Sequence, residues 1–135
     1  MDGKFEAGSG GGDETPTRIR VLVIEDDALL GFVLGEVLEE LGYEVLAIAA
    51  SHAQAVAAAR KAKPDLMIAD VHLLSGSGIA AVAEICAAGF VPHVFVTGDI
   101  AEVNAQRPGA VAIQKPFIEA DLARAIAQAL AATPA

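Results

Sequence analysis

A short strand that ends in three acids decides the fold, and it is found at residues 19–27, which read IRVLVIEDD. The run from Ile19 to Ile24 is rich in β-branched residues, as is typical of a strand buried on both faces of a sheet. Leu and Val residues then recur at spacings of three and four between Leu29 and Leu41. This period predicts an amphipathic helix, which Gly42 ends.

The same alternation continues to the end of the chain. Further strands are predicted over residues 43–49, 66–71, 91–96 and 110–114, and further helices over 51–63, 79–88, 99–107 and 118–131. Ser51 is the predicted N-cap of the helix over residues 51–63, and Pro64 ends that helix. Five β-α units in succession imply an α/β fold, with a five-stranded parallel sheet, helices on both of its faces and right-handed crossovers.

Composition limits the classes of function. The chain has 135 residues, enough for one domain, which we assign to residues 18–135. Residues 1–17 are rich in Gly, acids, Thr and Pro, and predict a flexible N-terminal arm. The net charge of −9 disfavours nucleic acid and anionic membranes as partners. The sequence shows neither an apolar run near the ~20 residues of a membrane span nor a secretory signal, so we expect a cytoplasmic protein.

Polar side chains stand at the ends of four of the five predicted strands. Glu25 and Asp26 follow the first strand, Asp70 ends the third, Thr97 the fourth and Lys115 the fifth. In parallel sheets, ligands bind beyond the carboxyl ends of the strands. Carboxylates that converge without a cation would repel one another, and a hard divalent ion with oxygen ligands, best Mg²⁺, relieves this repulsion. A carboxylate beside Mg²⁺ can attack a phosphoryl group, while an ammonium and a hydroxyl stabilise the transferring oxygens.

Each of these residues also has a simpler interpretation. Acids after a strand are often a solvated turn or a helix cap, and capping is our preferred role for Asp27. His52 and His93 are predicted to be ordinary surface or strand residues. Cys86, the single cysteine, lies in an apolar helical segment and is predicted to be a small buried side chain. The joint occurrence of the polar residues on successive strand ends favours a phosphoryl-accepting site.

These residues carry a family resemblance over about residues 18 to 131. The chain resembles response-regulator receiver domains, the phosphoacceptor half of two-component signalling, which have a flavodoxin-like sheet of order 2-1-3-4-5. The resemblance rests on residues 21–27 (VLVIEDD), 64–70 (PDLMIAD), 96–98 (VTG) and 115–117 (KPF), and on Gly78, eight positions after Asp70.

The resemblance implies a role for each site residue. Asp70 would be the phosphorylated aspartate. Asp26 would bind Mg²⁺ directly and Glu25 through water, with the backbone carbonyl of His72 completing the coordination. Thr97 would be the hydroxyl that moves toward the phosphoryl group, and Lys115 the cation that contacts it. Receivers also usually have a cis bond at the Lys-Pro step, here Lys115-Pro116.

Three departures from the family pattern concern the output side of the domain. Ala112 stands where receivers commonly have Tyr or Phe, and Leu74 where Pro is common. Only 18 positions separate Thr97 from Lys115, fewer than is usual in receivers, so the fourth helix must be short or irregular. The motif at residues 95–98 (FVTG) is similar to an atypical alphaproteobacterial subgroup of single-domain receivers with a Phe-Ala-Thr-Gly-type motif.

These observations predict a phosphorylation-switched signalling module rather than a turnover enzyme. Its implied partners are a sensor histidine kinase or a histidine phosphotransfer protein, and a downstream protein. Only four residues, 132–135, follow the last predicted helix, so signalling by protein contacts is expected. Two alternatives stay open: a pseudo-receiver that binds partners without phosphorylation, and an enzyme on a similar fold, either a flavin binder or an aspartate-dependent phosphatase.

Overall fold

A computed structural model describes residues 18–132, so the predicted arm at residues 1–17 lies outside the described residues. Strands and helices alternate throughout, as predicted. The strands are β1 (Arg20–Ile24), β2 (Glu44–Ala49), β3 (Leu66–Asp70), β4 (His93–Thr97) and β5 (Ala112–Gln114). The helices are α1 (Ala28–Glu40), α2 (His52–Ala62), α3 (Gly78–Ala87), α4 (Ile100–Gln106) and α5 (Glu119–Ala131).

All five strands are parallel and lie in the order β2-β1-β3-β4-β5. This confirms the doubly wound α/β fold and the strand order that the resemblance implied. Ile24 pairs with Ala69, Asp70 with Val96, and Thr97 with Gln114. The carboxyl ends of β1, β3, β4 and β5 therefore meet at one edge of the sheet, beside the point where the order reverses between β1 and β3.

Alternate strand residues supply two separate cores, because successive side chains point to opposite faces of a sheet. Leu22, Met67 and Phe95 pack with α2, α3 and α4 on one face. Val23, Ile68 and Val94 pack with α1 and α5 on the other. The three central strands are thus covered on both sides, which holds their carboxyl ends in fixed positions.

Helix α1 does not bury the whole apolar stripe that its sequence predicts. Its buried positions are Gly31, Gly35 and Leu38, while Leu29 is 70% exposed and Phe32 60% exposed. The reason is a close approach to β2: a Cβ atom built on Gly31 would lie 2.9 Å from Cγ2 of Ile48. The helix therefore packs through its glycine side, and part of the Leu/Val stripe faces outward.

His93 and Ser51 lie as predicted, whereas Cys86, which was predicted to be buried, is only partly buried. His93 begins β4 and is buried, and burial lowers the pKa of its imidazole. Cys86 is partly buried and packs against the core. Ser51 caps α2 through a hydrogen bond from the Gln54 N–H. Within residues 18–132, we find no helix with the length and apolar character needed to cross a membrane.

Candidate functional site

Three carboxylates predicted from the sequence lie together at the carboxyl edge of the sheet. Glu25, Asp26 and Asp70 each place one oxygen within 4.8 Å of the other two. They meet because β1 and β3 are neighbours in register, so that the residues following Ile24 stand beside Asp70. Glu25 and Asp70 are buried, whereas Asp26 is partly exposed. Oxygen atoms at this spacing suit a hard divalent cation.

Lys115 reaches the same cluster from the edge strand. Its Nζ lies 2.8 Å from Oδ2 of Asp70 and 3.7 Å from Oε1 of Glu25. Its backbone N–H donates to the Thr97 carbonyl at 2.7 Å, which keeps the residue at the end of β4. The bond to Pro116 is cis, in agreement with the resemblance.

Burial and the charges of the cluster shift the pKa values of Glu25 and Lys115. Burial raises the pKa of the Glu25 carboxyl, the Asp70 charge adds to this, and the backbone N–H of Asp27 and the Lys115 ammonium oppose it. Burial alone would lower the pKa of Lys115, but the hydrogen bond and charge of Asp70 and the charge of Glu25 raise it. Lys115 is therefore held in its charged form beside the carboxylates.

Backbone N–H groups fix the orientation of all three carboxylates. The His72 N–H donates to Oδ1 of Asp70 at 3.2 Å, and the Asp27 N–H donates to Oε2 of Glu25 at 3.1 Å. The Leu74 N–H donates to Oδ2 of Asp26. The loops after β1 and β3 therefore hold the cluster in place, and charge-assisted bonds of this kind are the stronger ones.

Asp27 has the capping role that we preferred from the sequence. Its Oδ1 accepts the Leu30 N–H at 3.0 Å, and its backbone is extended, as an N-cap requires. The side chain satisfies a free N–H in the first turn of α1.

Gly78 permits the close approach of α3 to the phosphoacceptor candidate. A Cβ atom at this position would lie 1.8 Å from the backbone oxygen of Asp70. The Gly78 N–H donates to the Val71 carbonyl at 3.0 Å, so that the start of α3 is fixed against the end of β3. The family-like glycine eight positions after Asp70 thus has a steric cause, which the spacing by itself did not reveal.

Thr97 is buried at the end of β4, and its hydroxyl contacts its own loop. Oγ1 accepts the Asp99 N–H at 2.9 Å and donates to the Asp99 carbonyl at 3.2 Å. Ala112 pairs with Phe95 in the sheet, at the position where receivers commonly have an aromatic residue. The fourth helix has seven residues, in agreement with the short segment predicted there.

Two contacts near the site were not predicted. The His72 side chain points to α4, with Nε2 2.6 Å from Oε1 of Glu102, and its ring is largely exposed. The Gln114 side chain contacts the loop between β4 and α4. Both contacts join residues at least 14 positions apart, so neither has a local sequence signal. The predicted metal contact of the His72 carbonyl stays a prediction.

The charges of the cluster suit a dication and a nucleophile. When ionised, three carboxylates facing one ammonium leave two negative charges, which a divalent cation would neutralise. With both Lys115 and a cation beside it, the Asp70 carboxylate could attack an electrophilic phosphorus atom without strong repulsion from the transferring oxygens.

Comparison with known proteins agrees with this geometry. The family model described as the response regulator receiver domain matches residues 21–127. The transcriptional regulatory protein PdtaR of Mycobacterium tuberculosis is 41% identical over 112 residues, covering 79% of this chain and 54% of that protein. The phyllosphere-induced regulator PhyR of Methylorubrum extorquens is 36% identical over 114 residues, covering 82% of this chain and 43% of that protein. The chain thus spans about half the length of these relatives.

A solved structure gives the same result. The receiver domain of the Erythrobacter litoralis response regulator PhyR superposes with a TM-score of 0.80 at 34% identity, covering 87% of this chain and 96% of that chain. Similarity to PhyR is thus found in both sequence and structure, while the subgroup indicated by residues 95–98 stays a prediction. The site geometry, the family match and the shared fold together show that the chain belongs to the response regulator receiver domain family of two-component signalling.

Proposed function

We propose that Asp70 accepts a phosphoryl group from a phosphohistidine on a sensor kinase or phosphotransfer protein, in a Mg²⁺-dependent reaction. The observation that carries this proposal is the position of the Asp70 carboxylate, which lies beside Glu25 and Asp26 and 2.8 Å from the Lys115 ammonium. The phosphorylated chain would then signal through protein contacts.

The chemistry follows from the residues around Asp70. One carboxylate oxygen attacks phosphorus, the bond from phosphorus to the donor nitrogen breaks, and an acyl phosphate forms on the protein. Glu25, Asp26, Asp70 and the His72 carbonyl would hold Mg²⁺, which when bound neutralises charge on the transferring oxygens. Lys115 contacts the phosphoryl group as a second cation. Because the product is the modified chain itself, the protein is a phosphoacceptor rather than a turnover enzyme.

Incubation with acetyl phosphate tests the reaction without a kinase. We expect intact-mass spectrometry to show one added phosphoryl group per chain in the presence of Mg²⁺, and hydroxylamine to remove that group, as it cleaves acyl phosphates. With EDTA in place of Mg²⁺ the rate should fall by about 100-fold or more, since the carboxylates then repel the incoming phosphoryl group. Equal rates with Mg²⁺ and with EDTA would contradict the metal requirement.

The exposed part of α1 offers a surface for the donor. A groove of about 550 Å³ adjoins the site. It is lined by apolar residues of α1 such as Val33 and Val37, by Phe117, and by Glu25 and Lys115 of the site itself. Leu29 and Phe32, in the first turns of the same helix, are also exposed apolar side chains. A protein that presents a phosphohistidine to Asp70 must cover this region, and burying the apolar residues would stabilise the complex.

Replacement of Phe32 by Ser tests whether a protein donor, unlike acetyl phosphate, needs the exposed surface of α1. We expect transfer from a phosphohistidine protein to slow about tenfold relative to uptake from acetyl phosphate, because only the protein donor needs the α1 surface. The measurement is the ratio of the two rates. Phe90→Ser is the matched control. Phe90 is also partly exposed (41%), but it precedes the amino end of β4, whereas the site lies at the carboxyl ends of the strands. A similar ratio in wild type, Phe32→Ser and Phe90→Ser would place the donor elsewhere.

A further inference from the structure

The loop between β4 and α4, residues 98–99, is held from two sides. On one side the Thr97 hydroxyl bonds both the N–H and the carbonyl of Asp99. On the other, Nε2 of Gln114 donates to the Gly98 carbonyl at 2.6 Å, and Oε1 of the same side chain accepts the Ile100 N–H at 3.1 Å. The two partners, one acceptor and one donor, fix which end of the amide faces which group.

Helix α4 depends on these contacts for its first turn. It has seven residues, and helices this short are unstable without external support. The N–H of Ile100 has no acceptor inside the helix, because the first four N–H groups of any helix lack one. Gln114 supplies that acceptor from β5, while the Asp99 side chain accepts the Ala101 N–H at 3.1 Å.

A movement of Thr97 toward Asp70 would break one side of this support. The hydroxyl has a single proton, which it now donates to the Asp99 carbonyl. Donating it to a phosphoryl oxygen on Asp70 would break the bond to the carbonyl of Asp99, the N-cap residue of α4. The two bonds from Gln114 would then be the contacts that still hold the loop to β5 and oppose its displacement.

We propose that Gln114 is a positioning residue that holds the β4–α4 loop in its resting arrangement and sets how readily phosphorylation displaces α4. The inference rests on the proposed function of Asp70 and adds a route for its output. In this chain Ala112 has no bulky side chain that could move together with Thr97. Gln114, two residues further along β5, contacts the β4–α4 loop directly.

Titration with beryllofluoride and Mg²⁺, a mimic of the phosphoryl group, tests the proposal on the whole chain. We expect Gln114→Ala to bind beryllofluoride about threefold to tenfold more tightly than wild type, because two bonds specific to the resting state are lost and the binding-competent arrangement becomes more populated. Gln114→Glu, which keeps an acceptor for Ile100 but sets a carboxylate oxygen against the Gly98 carbonyl, should also bind more tightly than wild type. Gln128→Ala should match wild type, since Gln128 is exposed on the same face and its amide makes no hydrogen bond within residues 18–132.

Backbone amide resonances of residues 98–101 supply a second readout. In unloaded Gln114→Ala they should move toward the positions that wild type shows when loaded. Unchanged or weaker binding by Gln114→Ala would overturn the positioning role, even if the resonances move. Failure of wild type to bind the mimic would instead overturn the proposed function of Asp70, and the role of Gln114 with it.

Discussion

Replacement of Asp70 by Asn is expected to abolish phosphoryl uptake, with a loss on the order of 10³-fold or more in rate. The amide keeps the volume of the side chain and can still accept the His72 N–H, so the fold should persist. It cannot attack phosphorus as a carboxylate does, and it removes the charge that Lys115 contacts at 2.8 Å. The measurement is the mass gain after incubation with acetyl phosphate and Mg²⁺.

Asp27→Asn is the matched control for this substitution. It makes the same chemical change two residues from Glu25, on a side chain whose observed role is to cap α1. Because Asn is as good an N-cap as Asp, stability and phosphoryl uptake should both stay near wild type. Uptake by Asp70→Asn that matches the Asp27→Asn control would place the phosphorylated residue elsewhere.

Replacement of Gly78 by Ala is expected to have the largest effect on stability. The new Cβ would lie 1.8 Å from the Asp70 backbone oxygen, an overlap that only a backbone shift can relieve. We expect a loss of about 2–4 kcal/mol in the free energy of unfolding, in the range of severe overpacking. The shift would also displace Asp70 and slow its phosphorylation. Urea denaturation of wild type and of Gly78→Ala measures the loss in the free energy of unfolding.

Gly98→Ala is the control for the glycine substitution. A Cβ atom at Gly98 meets nothing within 4 Å among the described residues, and the position lies at the end of β4, at the same edge of the sheet. Its free energy of unfolding should change by less than about 1 kcal/mol. Equal midpoints for Gly78→Ala and Gly98→Ala would mean that α3 can move away from β3 at little cost.

The residues around Glu25 show why much of the site could be predicted. A buried strand that ends in acids is a local pattern, and parallel strands bring their carboxyl ends to one edge whatever the loops contain. Glu25, Asp26, Asp70 and Lys115 therefore met as expected. The helix after β1 shows the limit: its apolar stripe was visible, but Gly31 and Gly35, rather than Leu29 and Val33, face the sheet.

The sequence by itself determined the order of elements, the parallel sheet and the identity of the strand-end residues, because these depend on periodicities and caps within about ten residues. Only the tertiary structure decided which atoms touch across separate strands. The steric role of Gly78 depends on the backbone of Asp70, and the support of α4 depends on Gln114, which reaches Gly98 from 16 positions along the chain. Such contacts are set by strand register and helix placement, which follow from the packing of the whole domain.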